Sequence, residues 1–293
     1  MYPSFDPSRP VAIIGAGVMG TKVAWACARA GLATRLFDSE PGKAAESIER
    51  ALGWSGGAER ERVASHLTAA PSLDAALSRV QLVFENVPEK LALKQAVHGE
   101  LGRRAPADAY QGSNASSITC TPLAAASGRP ERFFNLNFTD PRRERLTELM
   151  ASASTAAETK TFAMAWARHI GMIPIETHRE QLGYSFNRLW RVIKQEALRQ
   201  IAEGYATPES IDRAWMLCFG TKMGPCGLMD DIGLHTILSV ERIYYEASGD
   251  PRDRPPEFLE AMVKAGKLGV ASGQGFYTHP DPAYRKPGFL EQG

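Results

Sequence analysis

The sequence predicts an α/β fold in its first part and an all-helical fold in the remainder. Up to about residue 177, short runs of β-branched and apolar residues alternate with longer helical patterns. Such alternation favours a parallel sheet covered by helices on both faces. From about residue 180 onward, apolar residues recur at the three- and four-residue spacing of amphipathic helices. We therefore predict one domain over residues 1–179 and a second over residues 180–293.

The individual elements follow from the same patterns. Segments with the length and composition of strands are 11–15, 33–37, 81–87, 109–113, 133–138 and 172–177. The first helix of the second domain should carry an apolar face and end at Gly204. The residues of that face are Leu182, Phe186, Leu189, Trp190, Ile193, Ala197, Leu198 and Ile201.

Composition excludes several classes of protein. The 293 residues are 44% hydrophobic and carry a net charge of +1, without a block of like charge that would suit nucleic acid or a membrane surface. The N-terminal MYPSFDPSRP lacks the features of a signal peptide, and no apolar stretch is long enough to span a membrane. The four cysteines match no zinc or redox pattern. We expect a cytoplasmic protein with a small-molecule substrate and no metal.

The segment VAIIGAGVMG (11–20) places Gly-x-Gly-x-x-Gly between an apolar strand and an amphipathic helix. Gly15 allows the tight turn, Gly17 lets the backbone approach a pyrophosphate, and Gly20 lets helix and strand pack closely. The free N–H groups at the start of the helix attract the phosphates. Asp38 ends the next strand at the spacing expected of a carboxylate that binds ribose hydroxyls. The pattern predicts a Rossmann-type dinucleotide-binding domain.

NAD is favoured over NADP, because the charge of Asp38 repels a 2′-phosphate. Arg29 and Arg35 lie nearby in the sequence and keep NADP open. Val18 and Met19, inside the glycine motif, complete the cofactor contacts predicted at this loop.

Later motifs resemble, in order, the landmarks of the L-3-hydroxyacyl-CoA dehydrogenase family along nearly the whole chain. They are SNASSIT (113–119), LNF (136–138), LTEL (146–149), FNRL (186–189), MGPCGLMD (223–230) and SGQGFY (272–277). The resemblance implies a Rossmann NAD domain, a helical domain that forms most of a homodimer interface, and a substrate bound between the two. It also implies a role for single residues: cofactor contacts for Glu85, Lys94 and Asn114, a hydrogen bond to the substrate oxygen for Ser116, orientation of the base for Glu148, and a polar group facing the substrate for Asn187.

The chain departs from the family pattern at the residues that do the chemistry. Asn137 occupies the position of the family's catalytic histidine, and Asp140 that of an asparagine near the nicotinamide. Neutral asparagine cannot take a proton from an alcohol. Glu148 is our first candidate for the base, because a carboxylate in a partly dry cleft can exchange protons near neutral pH. Asn137 would then donate its amide N–H to the substrate oxygen. In the alternative, Glu148 is a structural acceptor and Asn137 is inert.

Two other groups are alternatives at the sequence level. His178, at the end of the last predicted strand, is a replacement base or a solvated side chain. Arg142, Arg143 and Arg145, in the loop after the 133–138 strand, either clamp a substrate carboxylate or face water.

The segment 38–66 is short and contains glycines where a second long helix would need better helix formers. Acyl-CoA members of the family carry a long, lysine-bearing helical excursion there, so the resemblance points to a compact substrate. The leading hypothesis is an NAD-dependent oxidoreductase acting on a compact hydroxy or oxo substrate that bears a carboxylate or another polar anchor. The alternatives are a 3-hydroxyacyl-CoA dehydrogenase with a relocated base, and an NAD-binding protein that acts as a sensor or catalyses non-redox chemistry.

Overall fold

A computed structural model describes residues 5–292 and divides the chain into two compact units. The first ends at Ser185 and the second begins at Phe186. The first holds the sheet and the second is built from helices, as the sequence predicts. Among the described residues, no helix is both long and apolar enough to cross a membrane.

The first unit is built on an eight-stranded sheet with the order β3-β2-β1-β4-β5-β6-β7-β8. The strands are β1 (Val11–Ile14), β2 (Thr34–Phe37), β3 (Leu67–Ala69), β4 (Leu82–Glu85), β5 (Tyr110–Ser113), β6 (Phe133–Phe138), β7 (Leu146–Met150) and β8 (Ile173–Thr177). Strands β1 to β6 are parallel, whereas β7 runs against β6 and β8 runs parallel to β7. The strand order reverses between β1 and β4, and crevices at such points bind ligands.

Helices cover both faces of this sheet. They are α1 (Val18–Arg29), α2 (Lys43–Leu52), α3 (Gly57–His66), α4 (Leu73–Leu77), α5 (Leu91–Arg104), α6 (Cys120–Ala126) and α7 (Ala157–His169). On one face, Phe84, Phe134 and Phe138 pack around Trp166 of α7. Gly112 of β5 leaves room for two of these rings, since a Cβ there would lie 2.7 Å from Phe84 and 2.9 Å from Phe134.

The structure adds elements that the sequence analysis did not predict. Strands β3 and β7 were not among the six predicted segments, and the last two strands are not parallel to the rest. The segment between β2 and β3 forms two helices of ten residues each, and the sequence analysis, which expected no second long helix there, did not predict α3. The only buried residue of α3 is Val63, which is why the apolar pattern of this helix is weak. Gly53 and Gly56 lie between α2 and α3, and Gly57 is the first residue of α3.

The second unit consists of α8 (Phe186–Ala202), α9 (Pro208–Phe219), α10 (Pro225–Ile232), α11 (Leu234–Ser248) and α12 (Glu257–Lys264). Two buried carboxylates hold its connections. Asp212 accepts hydrogen bonds from the backbone N–H groups of Cys226 and Gly227 at 2.7 and 2.8 Å. Asp230 accepts from the N–H groups of Phe276 and Tyr277, both at 2.9 Å. The MGPCGLMD and SGQGFY motifs are therefore parts of the packing of this unit.

Candidate active site

The glycine motif forms the turn between β1 and α1 with a different constraint at each glycine. Gly15 has φ +95°, and a Cβ there would lie 2.8 Å from the Asn86 carbonyl group. A Cβ at Gly20 would lie 1.8 Å from the carbonyl oxygen of Gly15, so helix and turn pack backbone to backbone. Gly17 has no protein atom within 4 Å of an added Cβ. Gly17 therefore leaves open space at the N-terminus of α1, where a pyrophosphate would approach.

Asp38 lies at the tip of β2 and faces the same turn. Its Oδ2 accepts a hydrogen bond from the N–H of Ala16 at 2.7 Å, and its Oδ1 accepts from the N–H of Glu40 at 3.0 Å. A cleft of about 730 Å³ extends from this carboxylate along the strand tips, a volume typical of cofactor sites. Of the residues predicted at the site, the cleft is lined by Gly15, Gly17, Val18, Met19, Asp38, Lys94, Asn114 and Ser116.

Arg29 and Arg35, the two arginines that left NADP as an alternative in the sequence analysis, both contact other parts of the protein. The guanidinium of Arg35 donates to the carbonyl oxygens of Ala75 and Ser78 at the end of α4. The guanidinium of Arg29 lies over the ring of Trp25, 4.6 Å from its centroid. Neither is placed to neutralise a 2′-phosphate at Asp38, which supports NAD.

Glu85, at the tip of β4, is enclosed by donors. Its carboxylate accepts from Lys94 Nζ at 2.8 Å, Ser113 Oγ at 2.7 Å and the ring of His98 at 3.1 Å. Burial alone would raise the pKa of Glu85, but the bonds from His98 and Lys94 outweigh it, and the pKa lies below its usual value. Glu85 has no exposed surface and does not line the cleft, but its hydrogen-bond partners Lys94 and Val87 do.

Lys94 also connects this buried group to Glu89, whose carboxylate lies 3.4 Å from Nζ. Glu89 in turn accepts from the backbone N–H groups of Ser116 and Ser117 at 2.8 and 2.7 Å. The loop after β4 therefore holds the loop after β5 in place. Glu89 was not among the predicted site residues, because its partners lie 27 and 28 residues away in the sequence.

Asparagine side chains join the tips of three strands. Asn114 Nδ2 donates to Asn86 Oδ1 at 2.9 Å, and Asn114 Oδ1 accepts from the backbone N–H of Phe138 at 2.9 Å. This arrangement brings the tip of β6, which carries Asn137, next to the loop that carries Ser116. Asn114 lines the cleft, as a cofactor contact must.

Asn137 and Glu148 are directly opposite each other in the antiparallel pairing of β6 with β7. Directly opposite residues place their side chains on the same face of the sheet, with Cβ atoms roughly 5 Å apart. Glu148 is 2% exposed, and its Oε1 accepts from the N–H of Ser185 at 3.0 Å. The Asn137 side chain is 6% exposed and has no hydrogen-bond partner within residues 5–292. Its amide group is thus available to a ligand.

The loop from Thr139 to Arg145 is fixed by contacts within the first unit. Asp140 pairs with Lys22 of α1 at 2.8 Å. Burial alone would raise the pKa of Asp140, but the bond from Lys22 outweighs it and the pKa lies below its usual value. Arg142 lies 4.3 Å from the ring centroid of Trp54, and Arg145 donates to the carbonyl of Gly171 at 2.9 Å. Arg142 and Arg145 thus have partners within the protein, which does not support the prediction that they clamp a substrate carboxylate.

His178 lies apart from this group, and Asn187 belongs to the second unit. Thr177 pairs with Met150 in β7, whereas Glu148 pairs with Ile175, so His178 lies about 10 Å farther along the strand direction at roughly 3.3 Å per residue. His178 is also exposed, which does not support it as the replacement base. Asn187 is the half-buried second residue of α8 in the second unit.

A Rossmann sheet, a glycine turn open at Gly17 and a carboxylate at the tip of β2 fit a dinucleotide such as NAD, the cofactor of many oxidoreductases. Residues 10–181 match the family model described as 3-hydroxyacyl-CoA dehydrogenase, NAD binding domain, and residues 183–279 match the C-terminal domain of the same family. The chain belongs to the 3-hydroxyacyl-CoA dehydrogenase family, whose members oxidise a CH–OH group with NAD.

Individual relatives have the same length and fold. A probable 3-hydroxybutyryl-CoA dehydrogenase of Bacillus subtilis is 31% identical over 283 residues, covering 93% of this chain and 98% of that protein. The crystal structure of FadB2 from M. tuberculosis is 32% identical with a TM-score of 0.86, covering 94% of this chain and all of that one. A diketoreductase structure is 28% identical with a TM-score of 0.85 and the same coverage of both chains.

Proposed function

We propose that the protein interconverts the hydroxy and oxo forms of a compact substrate with Ser116, Asn137 and Glu148 at the reacting carbon. The observation that carries this proposal is the Asn137–Glu148 pair, because it combines a partner-free amide with a buried carboxylate at the tip of β6. NAD, when bound, supplies or accepts the hydride. The protein must orient the substrate oxygen and move its proton.

Each residue has a distinct role in this proposal. Ser116 and Asn137 donate hydrogen bonds to the substrate oxygen and stabilise the charge that develops there. Glu148 holds the proton that leaves or returns to that oxygen, with Ser185 N–H orienting one carboxylate oxygen. In this proposal Gly17, Val18 and Met19 contact NAD at the pyrophosphate and Asp38 binds the ribose. Lys94 and Asn114, which line the same cleft, complete the cofactor contacts.

The role of Glu148 is tested by Glu148→Gln, which keeps the shape of the side chain and removes its charge. We expect turnover to fall at least a hundredfold while the affinity for NADH stays within twofold of wild type. Glu144→Gln is the matched control, since Glu144 is an exposed carboxylate on the loop just before β7. Turnover by Glu148→Gln equal to that of the control would remove Glu148 from the mechanism.

A second candidate substrate is a short acyl-CoA thioester. The B. subtilis relative is named for 3-hydroxybutyryl-CoA, and this chain covers 98% of its length, so the short segment between β2 and β3 does not by itself set the chain apart from that protein. The diketoreductase is named for dicarbonyl compounds, which supports a compact substrate. The reacting group is the same in both cases.

The two candidates are separated by substrates that share one reacting group. Oxidation of NADH at 340 nm is followed with 3-oxobutanoate, with its ethyl ester and with its CoA thioester. A compact-substrate enzyme should give a kcat/KM for the acid or the ester at least tenfold above that for the thioester. The reverse order would favour an acyl-CoA thioester as the substrate. No turnover with a wide panel of hydroxy and oxo compounds would favour an NAD-binding protein without dehydrogenase activity. Gain of thioester oxidation in Asn137→His would show that the pocket still accepts CoA.

We also propose a homodimer formed through the second unit. Helix α8 exposes Leu189 and Val192, at 68% and 65% exposure, on one face. A second copy of the chain would bury these side chains. Sedimentation should give a dimer for the wild type and a monomer for Leu189→Glu, whereas Leu91→Glu, a matched change in the first unit, should stay dimeric. A monomeric wild type would refute the proposal.

A cytoplasmic location is proposed as well. All four cysteines are free thiols and three of them are buried, which suits a reducing compartment. Fractionation of the source cells with an antibody to the protein would test this.

A further inference from the structure

The segment that ends the first unit folds back against the strand tips. Gly183 and Tyr184 both adopt positive φ, +82° and +52°. Glycine does so readily, but a bulky residue such as tyrosine rarely does. Such a conformation persists only where surrounding contacts hold it, and it clusters at functional sites. The contacts of Tyr184 are therefore informative.

Tyr184 is fully buried, and its ring packs in a cluster with Cys120, Leu123, Phe133 and Met150. Its hydroxyl donates a hydrogen bond to the carbonyl oxygen of Ala115 at 2.9 Å. Burial raises the pKa of the phenol well above its usual range, so this hydroxyl stays protonated and remains a donor. The bond spans 69 residues of sequence and ends on the residue just before Ser116.

The main chain around Ser116 is held from three directions. Ser113 Oγ accepts from the N–H of Ala115 at 3.2 Å, and Glu89 accepts from the N–H groups of Ser116 and Ser117. The Tyr184 hydroxyl holds the remaining group, the Ala115 carbonyl. These bonds fix the backbone on both sides of Ser116, which lines the cleft.

The next residue contacts the second half of the reacting centre. The N–H of Ser185 donates to Glu148 Oε1 at 3.0 Å. The backbone conformation at Tyr184 directs the tyrosine ring beneath the loop that carries Ser116 and directs the following N–H to the carboxylate of Glu148. Tyr184 and the N–H that follows it thus contact both groups that we place at the substrate oxygen: the loop of Ser116 and the carboxylate of Glu148.

We propose that Tyr184 is a positioning residue, which sets the Ser116 hydroxyl and the Glu148 carboxylate relative to each other through the Ala115 carbonyl and the Ser185 N–H. This inference rests on the proposed function, because it assumes that Ser116 and Glu148 act on the substrate. The ring holds the loop by packing and the hydroxyl sets its orientation. Loss of the hydroxyl alone should therefore impair turnover more than cofactor binding.

The test is Tyr184→Phe, alone and combined with Ser116→Ala. In the wild-type background we expect kcat to fall about tenfold while the KM for NADH stays within twofold. In the Ser116→Ala background, Tyr184→Phe should change kcat less than twofold, because the hydroxyl that it positions is gone. Tyr277→Phe is the matched control, since Tyr277 is also buried and its hydroxyl donates to Asp212 in the second unit. A loss of kcat in this control equal to that of Tyr184→Phe would mark a general loss of stability and overturn the inference.

Two results for the variant itself would also overturn it: a kcat for Tyr184→Phe within twofold of wild type, or an equal loss in both backgrounds. If Tyr184→Phe does not fold, Glu89→Ala removes the acceptor of the Ser116 and Ser117 N–H groups and loosens the same loop from the other side, and an unchanged kcat there would overturn the inference. If the wild type turns over no substrate, the proposed function fails. The hold of Tyr184 on the loop is then judged by amide hydrogen exchange over residues 113–119, which Tyr184→Phe should accelerate. Unchanged exchange would refute that hold.

Discussion

Lys94→Met isolates the energetic role of the buried ion pair beneath the cleft. Lys94 Nζ lies 2.8 Å from Glu85 Oε1, and the two side chains are 1% and 0% exposed. Breaking a buried pair by removing one partner typically costs about 3–5 kcal/mol, because the remaining charge stays buried. Glu85 keeps hydrogen bonds from His98 and Ser113, so we expect the lower end, about 3 kcal/mol. For a unit of this size, that corresponds to a fall in Tm of roughly 6–12 °C.

The assay is thermal unfolding at pH 7, followed by calorimetry. Lys43→Met is the matched control, because Lys43 pairs with Glu40 at the same 2.8 Å distance but is 37% exposed. Solvent screens exposed pairs, which contribute little to stability, so the control should stay within roughly 4 °C of wild type. Adding Glu85→Gln to Lys94→Met should recover part of the loss by removing the buried charge. Equal Tm values for Lys94→Met and Lys43→Met would refute the assignment of a stabilising buried pair.

Three further predictions address the turn and the loop after β6. Gly17→Ala should fold with an unchanged Tm, because the added methyl group meets no protein atom within 4 Å. It should bind NADH at least about tenfold more weakly, because the methyl group enters the space where we place the pyrophosphate; wild-type affinity measured by NADH fluorescence would contradict that placement. Gly20→Ala should lower the free energy of unfolding by about 3 kcal/mol or more, since its Cβ would lie 1.8 Å from the Gly15 carbonyl oxygen. A Tm equal to that of wild type would show that the turn is not packed in this way. Asp140→Asn should lower Tm by a few degrees at pH 6, because the pair with Lys22 is lost. The depressed pKa of Asp140 means that its stabilisation is complete above the ordinary value of 3.8 and is lost as the pH falls through the folded-state pKa, so the two Tm curves should converge in acid; a difference that persists there would exclude the ion pair as its cause.

Local patterns in the sequence determined the cofactor half of the protein. The glycine spacing, the preceding apolar strand and Asp38 lie within one continuous stretch, so the turn, the helix start and the carboxylate could be predicted together. All six predicted strands are present, and the family was identified from motifs in order along the chain. The position of Asn137 on a strand was predictable for the same reason.

Tertiary structure alone decided which side chains meet. Strand β7 was not predicted, and its antiparallel register is what places Glu148 opposite Asn137; a shift of one residue would turn Glu148 to the other face. The enclosure of Glu85 and the bond from Tyr184 to Ala115 join residues separated by up to 69 positions. No local pattern encodes such partners, because the free energy of a buried charge or hydroxyl depends on donors and acceptors that only the folded chain brings within hydrogen-bond distance.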